Sequence, residues 1–284
     1  MSLPAFRPVL RYHGGKWRIA PWVVSHFPRH RVYVEPFGGA ASVLLRKPRS
    51  YAEVYNDLDD QIINLFRVLR DPAQAERLRE LVSLTAFARA EFLEAYEPSA
   101  DPVEKARRLI VRSWFGHGST GCLGGTTGFR GDVMRRGTTP ATDWARWPAA
   151  LPAIVERLRG VVIESQPADG LIARLDAPDV LFYVDPPYPH STRTSVKEGK
   201  RHYRHEMTDD DHRRLAGVLR SARGKVVLSG YSCDLYDREL YPDWHRVERR
   251  ALADGGRERT EVLWLSPATR SALGPRGLFD RTPV

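Results

Sequence analysis

Short runs of β-branched and aromatic residues alternate along the chain with segments of helical periodicity. One helical pattern covers residues 58–70, with Ile62 and Phe66 on its apolar face, and another covers 208–221. Strands that alternate with helices predict a mainly parallel α/β sheet covered by helices. Near the C-terminus, two strand patterns joined by a turn-prone Asp-Gly-Gly predict a hairpin that closes the sheet. The predicted strands are 32–35, 52–55, 161–164, 180–184, 225–229, 244–249 and 262–265.

The alternation of strands and helices fails between about Asp71 and Leu151. Helical patterns at 73–82, 86–96 and 102–115 give way there to a Gly- and Thr-rich segment, 116–147. We interpret 71–151 as an inserted domain between two parts of a larger one, 1–70 and 152–284. A composition of this kind suits a loop that wraps a ligand, although a flexible surface excursion is an equal alternative. The loop arginines that would contact the ligand are Arg130, Arg135 and Arg136.

Composition and charge indicate which class of partner and which cellular compartment to expect. The net charge of +9 and the pI near 9.7 favour a polyanionic partner, although an arginine-rich genome gives the same balance. The chain lacks an apolar run of bilayer length and the features of a secretory signal, so we expect a cytoplasmic protein that contacts no membrane. Cys122 and Cys233 have no CxxC or His partner at ligand spacing, so neither a disulfide framework nor a metal site is predicted.

The segment Asp185-Pro186-Pro187-Tyr188 follows the most apolar predicted strand, at the carboxyl end where open α/β sheets place their ligands. An aromatic amine is a poor nucleophile because its lone pair is delocalised, and acceptors that draw its hydrogens out of conjugation make it reactive. Asp185 and the Pro186 carbonyl can be those acceptors, because consecutive prolines fix the carbonyl direction. We expect Tyr188 to stack on a base flipped out of a duplex. The alternative is a strand-terminating turn.

A second candidate site follows the first strand, where glycines at a strand-to-helix turn let the backbone approach a nucleoside closely. Asp57, after the next strand, stands where an acid can accept from both ribose hydroxyls, although Asn56-Asp57 is also a suitable helix cap. GxGxxG is absent, which favours a cofactor without pyrophosphate. The residues of the turn are Glu35, Pro36, Phe37, Gly38 and Gly39.

Two further segments carry candidate contacts. Tyr12 and Lys16 flank a Gly-Gly pair, and Lys16 can pair with an amino-acid carboxylate, although a flexible basic turn is an equal alternative. The acids after Thr208 are better explained as a helix start than as metal ligands. A basic segment after the tetrapeptide is a candidate phosphate-binding loop, with a solvated loop as the alternative. Its basic residues are Arg193, Lys197, Lys200, Arg201 and Arg204.

Taken in order, Tyr12–Lys16, Glu35–Gly39, Asn56-Asp57 and Asp185–Tyr188 resemble the motifs of the Dam-like family of adenine-specific DNA methylases, including its phage-borne members. The segments 230–232 and 260–265 are similar to later motifs of that family, so the resemblance spans nearly the whole chain. Tyr12 stands where the family often has Trp.

The resemblance implies a Rossmann-like methyltransferase sheet that ends in an antiparallel strand and is interrupted by a mainly helical target-recognition insertion. It also implies that Tyr12, Lys16, Asp57 and Asp185 contact S-adenosylmethionine, and that Asp185 also serves the target amine. The insertion is the part least like familiar members, so no recognition sequence is carried over.

We therefore expect transfer of a methyl group from S-adenosylmethionine to N6 of a flipped-out adenine in double-stranded DNA, without a metal or a covalent enzyme intermediate. Cytosine N4, or a base or amide in RNA or protein, fits the same acceptor chemistry and is the nearest alternative. A catalytically idle nucleic-acid-binding relative is the alternative of another class. A cognate restriction endonuclease is a candidate partner.

Overall fold

Seven strands of the described residues form one sheet in the computed structural model, in the order β3-β2-β1-β4-β5-β7-β6. The structure describes residues 7–12, 14–118, 126–134, 137–192, 204–252 and 258–274. Strands β1 to β5 pair in parallel, and β7 runs antiparallel to both β5 and β6. The predicted parallel sheet and C-terminal hairpin are confirmed. The strands are β1 Val32–Glu35, β2 Ala52–Asn56, β3 Val161–Glu164, β4 Val180–Val184, β5 Lys225–Tyr231, β6 His245–Leu252 and β7 Glu258–Leu265.

Six of the eleven α-helices of the described residues begin at a short polar side chain that caps them. Asp59 accepts from the Gln61 N–H, and Asp71 accepts from the Gln74 N–H, each satisfying a donor that the first helical turn leaves open. The helices are α1 Ala20–Val24, α2 Ser42–Arg46, α3 Asp60–Arg70, α4 Pro72–Leu84, α5 Arg89–Glu94, α6 Pro102–Phe115, α7 Pro140–Arg146, α8 Leu151–Leu158, α9 Ala168–Leu175, α10 Asp209–Ser221 and α11 Pro267–Leu273. The six capped helices are α3, α4, α6, α7, α10 and α11. Single turns of 3₁₀-helix at Trp147–Ala150 and His190–Thr192 and a π-helix at Leu235–Leu240 complete the set.

The helices α4 to α7 occupy the stretch in which the strand-helix alternation fails. The apolar side of α6 packs on α3, and its Trp114 and Phe115 lie beside Trp144 and Trp147. These residues belong to the same hydrophobic cluster as Tyr33 of β1. The insertion therefore shares a core with the first part of the chain. Its division into a separate target-recognition domain stays a prediction.

The strand order brings distant segments to one edge of the sheet. The sheet order reverses between β1 and β4, which are neighbours although about 150 residues separate them in sequence. The turn after β1, the turn after β2 and the tetrapeptide after β4 therefore leave the sheet at the same carboxyl edge. Within the described ranges, no helix combines the length and apolar character that a bilayer span requires.

Candidate active site at the carboxyl edge of the sheet

A cavity of about 580 Å³ opens at this edge, a size typical of small-molecule sites. Segments predicted separately from the sequence meet in its wall, together with residues 204–207 that precede α10. Tyr188 is not among the lining residues. The predicted site residues that line the cavity are Tyr12, Lys16, Glu35, Pro36, Phe37, Gly38, Gly39, Asp57, Asp185, Pro186 and Pro187.

The turn after β1 needs both of its glycines. A Cβ on Gly38 would lie 2.0 Å from the Tyr55 ring, and one on Gly39 would lie 2.9 Å from the Tyr12 ring. Gly39 also has a φ of +48°, in the left-handed region that glycine adopts at little cost. The Tyr55 hydroxyl donates to the Gly39 carbonyl at 2.6 Å. The rings of Tyr55 and Tyr12 therefore pack directly against the backbone of this turn, where a larger residue would clash.

Asp57 is fixed by backbone donors. Its Oδ2 accepts from the Gly39 N–H at 2.8 Å, and its Oδ1 accepts from the Asp59 N–H at 2.8 Å. Burial raises the pKa of Asp57 to about 6, although these two hydrogen bonds oppose the rise. Each oxygen retains a lone pair, because an ionised carboxylate accepts about four hydrogen bonds. The carboxylate can therefore accept two further hydroxyl groups from a ligand in the cavity.

Glu35 is a buried acid at the end of β1. It accepts from the Tyr33 hydroxyl at 2.9 Å and from the Leu44 N–H at 3.1 Å. Burial raises the pKa of Glu35 to about 8, and the nearby charge of Asp185 adds to the rise. The side chain is therefore mostly protonated at neutral pH and can donate a hydrogen bond as well as accept one.

Asp185 and Lys16 form the charged pair of the cavity. The Lys16 ammonium lies 3.1 Å from Asp185 Oδ2 and donates to the Gly14 carbonyl at 2.7 Å. Burial raises the pKa of Asp185, and the Lys16 charge opposes that rise. Pro186 and Pro187 contribute no N–H to this edge of the cavity. A carboxylate and a rigid backbone carbonyl therefore stand together beside a cation.

Tyr188 is buried behind the cavity wall, with 6% of its surface exposed. Its hydroxyl lies 3.2 Å from Asp185 Oδ1 and 3.4 Å from Glu261 Oε2. The Lys16 ammonium lies 4.8 Å from the ring centroid, and Tyr231 meets the ring edge-on at 4.7 Å. Stacking of Tyr188 on a base stays a prediction, and it requires the ring to be uncovered first.

The sequence reading missed Glu261 and Asp59. Glu261 lies on β7, only 8% exposed, and burial raises its pKa. An acid directly before the apolar run 262–265 was the available signal. Asp59 caps α3, lines the cavity and is 3% exposed. Its position two residues after Asp57 was the signal in that case.

Two of the arginines predicted to contact DNA, Arg130 and Arg204, bond to other groups of the protein in this structure. Arg130 is 9% exposed and donates to the Trp114 carbonyl at 3.1 Å, so its guanidinium holds the loop against α6. Arg204 lines the cavity and pairs with Asp59 at 3.3 Å. The phosphate-binding roles of Arg130 and Arg204 stay predictions, and in this structure Arg130 bonds to α6 and Arg204 pairs with Asp59. The other six, Arg135, Arg136, Arg193, Lys197, Lys200 and Arg201, lie outside the described residues.

The acidic run before α10 is a helix start, as predicted. The Thr208 hydroxyl accepts from the Asp211 N–H, and the Asp211 carboxylate accepts from the Thr208 N–H, which together form a capping box. In the part of the chain that the structure describes, no group of three or more His, Cys, Asp and Glu side chains is arranged to hold a metal ion.

Acidic groups dominate the cavity wall. Among the described residues, seven carboxyl groups line it against three Lys and Arg side chains, Lys16, Arg204 and Arg214. The Ser42 hydroxyl also lines it, buried and without a hydrogen-bond partner among those residues. The cavity is therefore suited to a small ligand that carries positive charge and polar groups. The sheet order and the position of this cleft define a Rossmann-like α/β protein with its cleft at the topological switch point, where such sheets place their ligands.

Comparison with known families identifies the chain further. Residues 12–252 match the model of the D12 class N6 adenine-specific DNA methyltransferases, and the chain belongs to this family of transferases that act on adenine in DNA. The DNA adenine methylase of Salmonella typhi is 24% identical over 272 residues, covering 90% of this chain and 92% of that protein. The DNA adenine methylase of Escherichia coli K12 is 25% identical over 266 residues, with the same coverage. The resemblance drawn from the motifs is confirmed.

Proposed function

We propose that the chain transfers a methyl group from S-adenosylmethionine to N6 of an adenine extruded from double-stranded DNA, with Asp185 and the Pro186 carbonyl as the acceptors for the adenine amine. The observation that supports this assignment most directly is the meeting of Asp185, Lys16 and Asp57 in one cavity wall.

The composition of the cavity fits S-adenosylmethionine. This molecule supplies a methyl group made electrophilic by a positively charged sulfur. The acid-rich wall favours such a cation, and the volume of about 580 Å³ suits a nucleoside with an amino-acid tail. Asp57 has lone pairs left for the two ribose hydroxyls, and the Ser42 hydroxyl has bonding capacity to offer. The charge, the volume and Asp57 thus each match a feature of the molecule.

The acceptor pair activates the target amine. Burial raises the pKa of Asp185, and Lys16, 3.1 Å away, favours the ionised carboxylate, which is the form that accepts an amine hydrogen. The Pro186 carbonyl accepts the second hydrogen in a direction that the proline rings fix. With both hydrogens engaged, the nitrogen lone pair leaves conjugation with the ring and becomes nucleophilic. The nitrogen–carbon bond would form as the bond between the methyl carbon and sulfur breaks, so that S-adenosylhomocysteine would leave with the electron pair of that bond. The methylated amine would then release one hydrogen as a proton, through Asp185 to solvent.

Lys16 has a second role in this proposal, in binding the amino-acid carboxylate of the cofactor. Lys16 lines the cavity beside Asp185, and its ammonium can form a charge-assisted hydrogen bond with a carboxylate bound there. We therefore expect Lys16→Ala to weaken cofactor binding as well as to leave Asp185 without its cation.

The insertion, residues 71–151, is the proposed target-recognition domain. The chain as a whole carries a net charge of +9, which favours a phosphate backbone as partner. Within the insertion, Arg135 and Arg136 keep their proposed role as DNA contacts, as do Arg193, Lys197, Lys200 and Arg201 of the basic segment after the tetrapeptide.

Mass spectrometry of nucleosides tests this function. Double-stranded DNA is incubated with the purified protein and methyl-labelled S-adenosylmethionine, digested and separated. Labelled N6-methyladenine is the expected product. Labelled N4-methylcytosine, or label in RNA alone, would contradict the assignment of the acceptor, and no label together with no cofactor binding by calorimetry would support an idle relative.

A further inference from the structure

One hydroxyl stands between two buried carboxylates at the edge of the cavity. The Tyr188 hydroxyl lies 3.2 Å from Asp185 Oδ1 and 3.4 Å from Glu261 Oε2. A hydroxyl has a single hydrogen, so it donates well to only one of these acceptors at a time. Asp185, Glu261 and the Tyr188 ring are largely shielded from water. Contacts within the protein therefore determine which of the two carboxylates accepts the hydrogen bond from the Tyr188 hydroxyl.

The fold fixes this geometry from three directions. Glu261 pairs with Tyr231 across β7 and β5, and β5 is the neighbour of β4, which carries the tetrapeptide. Lys16, from the N-terminal segment, lies 3.1 Å from Asp185 and 4.8 Å from the centre of the Tyr188 ring. Asp185 and Glu261 therefore both face the Tyr188 hydroxyl, and Glu261 also accepts a hydrogen bond from the Tyr231 side chain.

The proposed reaction needs free acceptor capacity on Asp185. Its Oδ2 faces Lys16, and its Oδ1 is within reach of the Tyr188 hydroxyl, so an incoming adenine amine competes with that hydroxyl. We infer that Glu261 is a positioning residue that accepts the Tyr188 hydroxyl when the target amine arrives, so that Asp185 Oδ1 is released to accept the amine. This inference rests on the proposed function.

A double-mutant cycle on the full-length protein tests this inference. Glu261→Met removes the acceptor while keeping a side chain of similar length, and we expect single-turnover methylation at saturating DNA and cofactor to slow roughly ten-fold, the worth of one hydrogen bond to a charged group. The dissociation constant for S-adenosylmethionine should change less than about two-fold. In a Tyr188→Phe background, where this competing hydroxyl is absent, adding Glu261→Met should slow the reaction less than about two-fold.

The matched control is Glu261→Gln, which keeps an acceptor oxygen and should retain most of the rate. Circular dichroism checks that each variant folds, and Glu261→Ala replaces Glu261→Met if the latter does not. Equal slowing by the Glu261 substitution in both backgrounds, or no slowing in either, would overturn the inference. If the unsubstituted protein fails to methylate adenine, the proposed function fails; if it methylates adenine but the cycle shows no coupling, only the role of Glu261 fails.

Discussion

Two ionic clusters in this molecule each pair a lysine with a carboxylate, but the pKa of the carboxylate is raised in one cluster and lowered in the other. The first, the cavity cluster, consists of Lys16, Asp185, Tyr188 and Glu261. The second, the β2 cluster, consists of Lys47, Glu53 and Arg157, each 4% exposed or less. Both place a lysine against a carboxylate, at 3.1 Å in the cavity cluster and 2.6 Å in the β2 cluster.

The clusters differ in how completely the carboxylate is bonded. Glu53 accepts from the Arg157 guanidinium at 2.6 and 2.9 Å, from the Lys47 ammonium at 2.6 Å and from the Ser50 N–H at 3.0 Å. Although burial alone would raise it, these partners hold the pKa of Glu53 below its ordinary value. The pKa of Asp185, with fewer partners, stays raised by burial. A saturated carboxylate stabilises the fold, whereas an unsaturated one retains capacity for a ligand.

The largest expected effect comes from removing the carboxylate of the cavity cluster. Asp185→Ala should slow methyl transfer by about a thousand-fold or more, because the target amine loses an acceptor in a site that excludes water. Transfer of labelled methyl groups to DNA measures the rate. The control is Asp243→Ala, which breaks an exposed pair with Arg220 and should leave the rate unchanged. Transfer by Asp185→Ala at the parental rate would refute the mechanism.

The β2 cluster should respond in stability instead. Glu53→Gln removes the charge that pairs with both Lys47 and Arg157, and we expect the free energy of unfolding to fall by about 3–5 kcal/mol. Denaturant unfolding measures it, and the activity per folded molecule should be unchanged. Glu156→Gln, in an exposed pair with Arg159, is the matched control and should cost less than about 1 kcal/mol. If Glu53→Gln lowered the activity and left the free energy of unfolding unchanged, the β2 cluster would serve catalysis and not stability, which would contradict this prediction.

Glu35, a third buried acid, should make the free energy of unfolding depend on pH. Its pKa is raised from 4.5 to about 8, so the folded state holds a proton that the unfolded chain releases. This contribution to stability is complete below pH 4.5 and is lost as the pH rises through about 8. From about pH 5 to about pH 7, it should decline by about 1.4 kcal/mol per pH unit.

Glu35→Gln mimics the protonated side chain and should remove this decline. Denaturant unfolding of both proteins across this pH range gives the difference in their free energies of unfolding. A difference that does not change with pH would show that Glu35 is ionised in the folded protein.

Sequence patterns predicted the parts of the site that depend on local order. Asp57 and Asp185 each follow a recognisable strand directly, and parallel strands end at the same edge, so their meeting required no knowledge of packing. The strand bounds were predicted within a few residues because buried strands are continuous apolar runs.

Contacts that depend on distant packing were not predicted from the sequence. Arg130 looked like a solvent-exposed cation in a Gly-rich loop, but its loop packs on α6, where the Trp114 carbonyl accepts from the guanidinium. Glu261 reaches Tyr188 across 73 positions of sequence, because β7 lies antiparallel beside β5. Neither outcome follows from the residue type or from its neighbours in sequence.

The smallest expected effect comes from a polar cluster that water can reach. Thr208 and Asp211 bond reciprocally at the start of α10, as the buried clusters do, but this box is exposed. Thr208→Ala should lower the free energy of unfolding by only about 1 kcal/mol, because water replaces the lost cap. Thr208→Ser keeps the hydroxyl and should cost much less. If Thr208→Ala lowered the free energy of unfolding as much as Glu53→Gln does, hydrogen bonding alone would account for the stability that each cluster contributes. Burial would then add little to the difference between the exposed capping box and the β2 cluster.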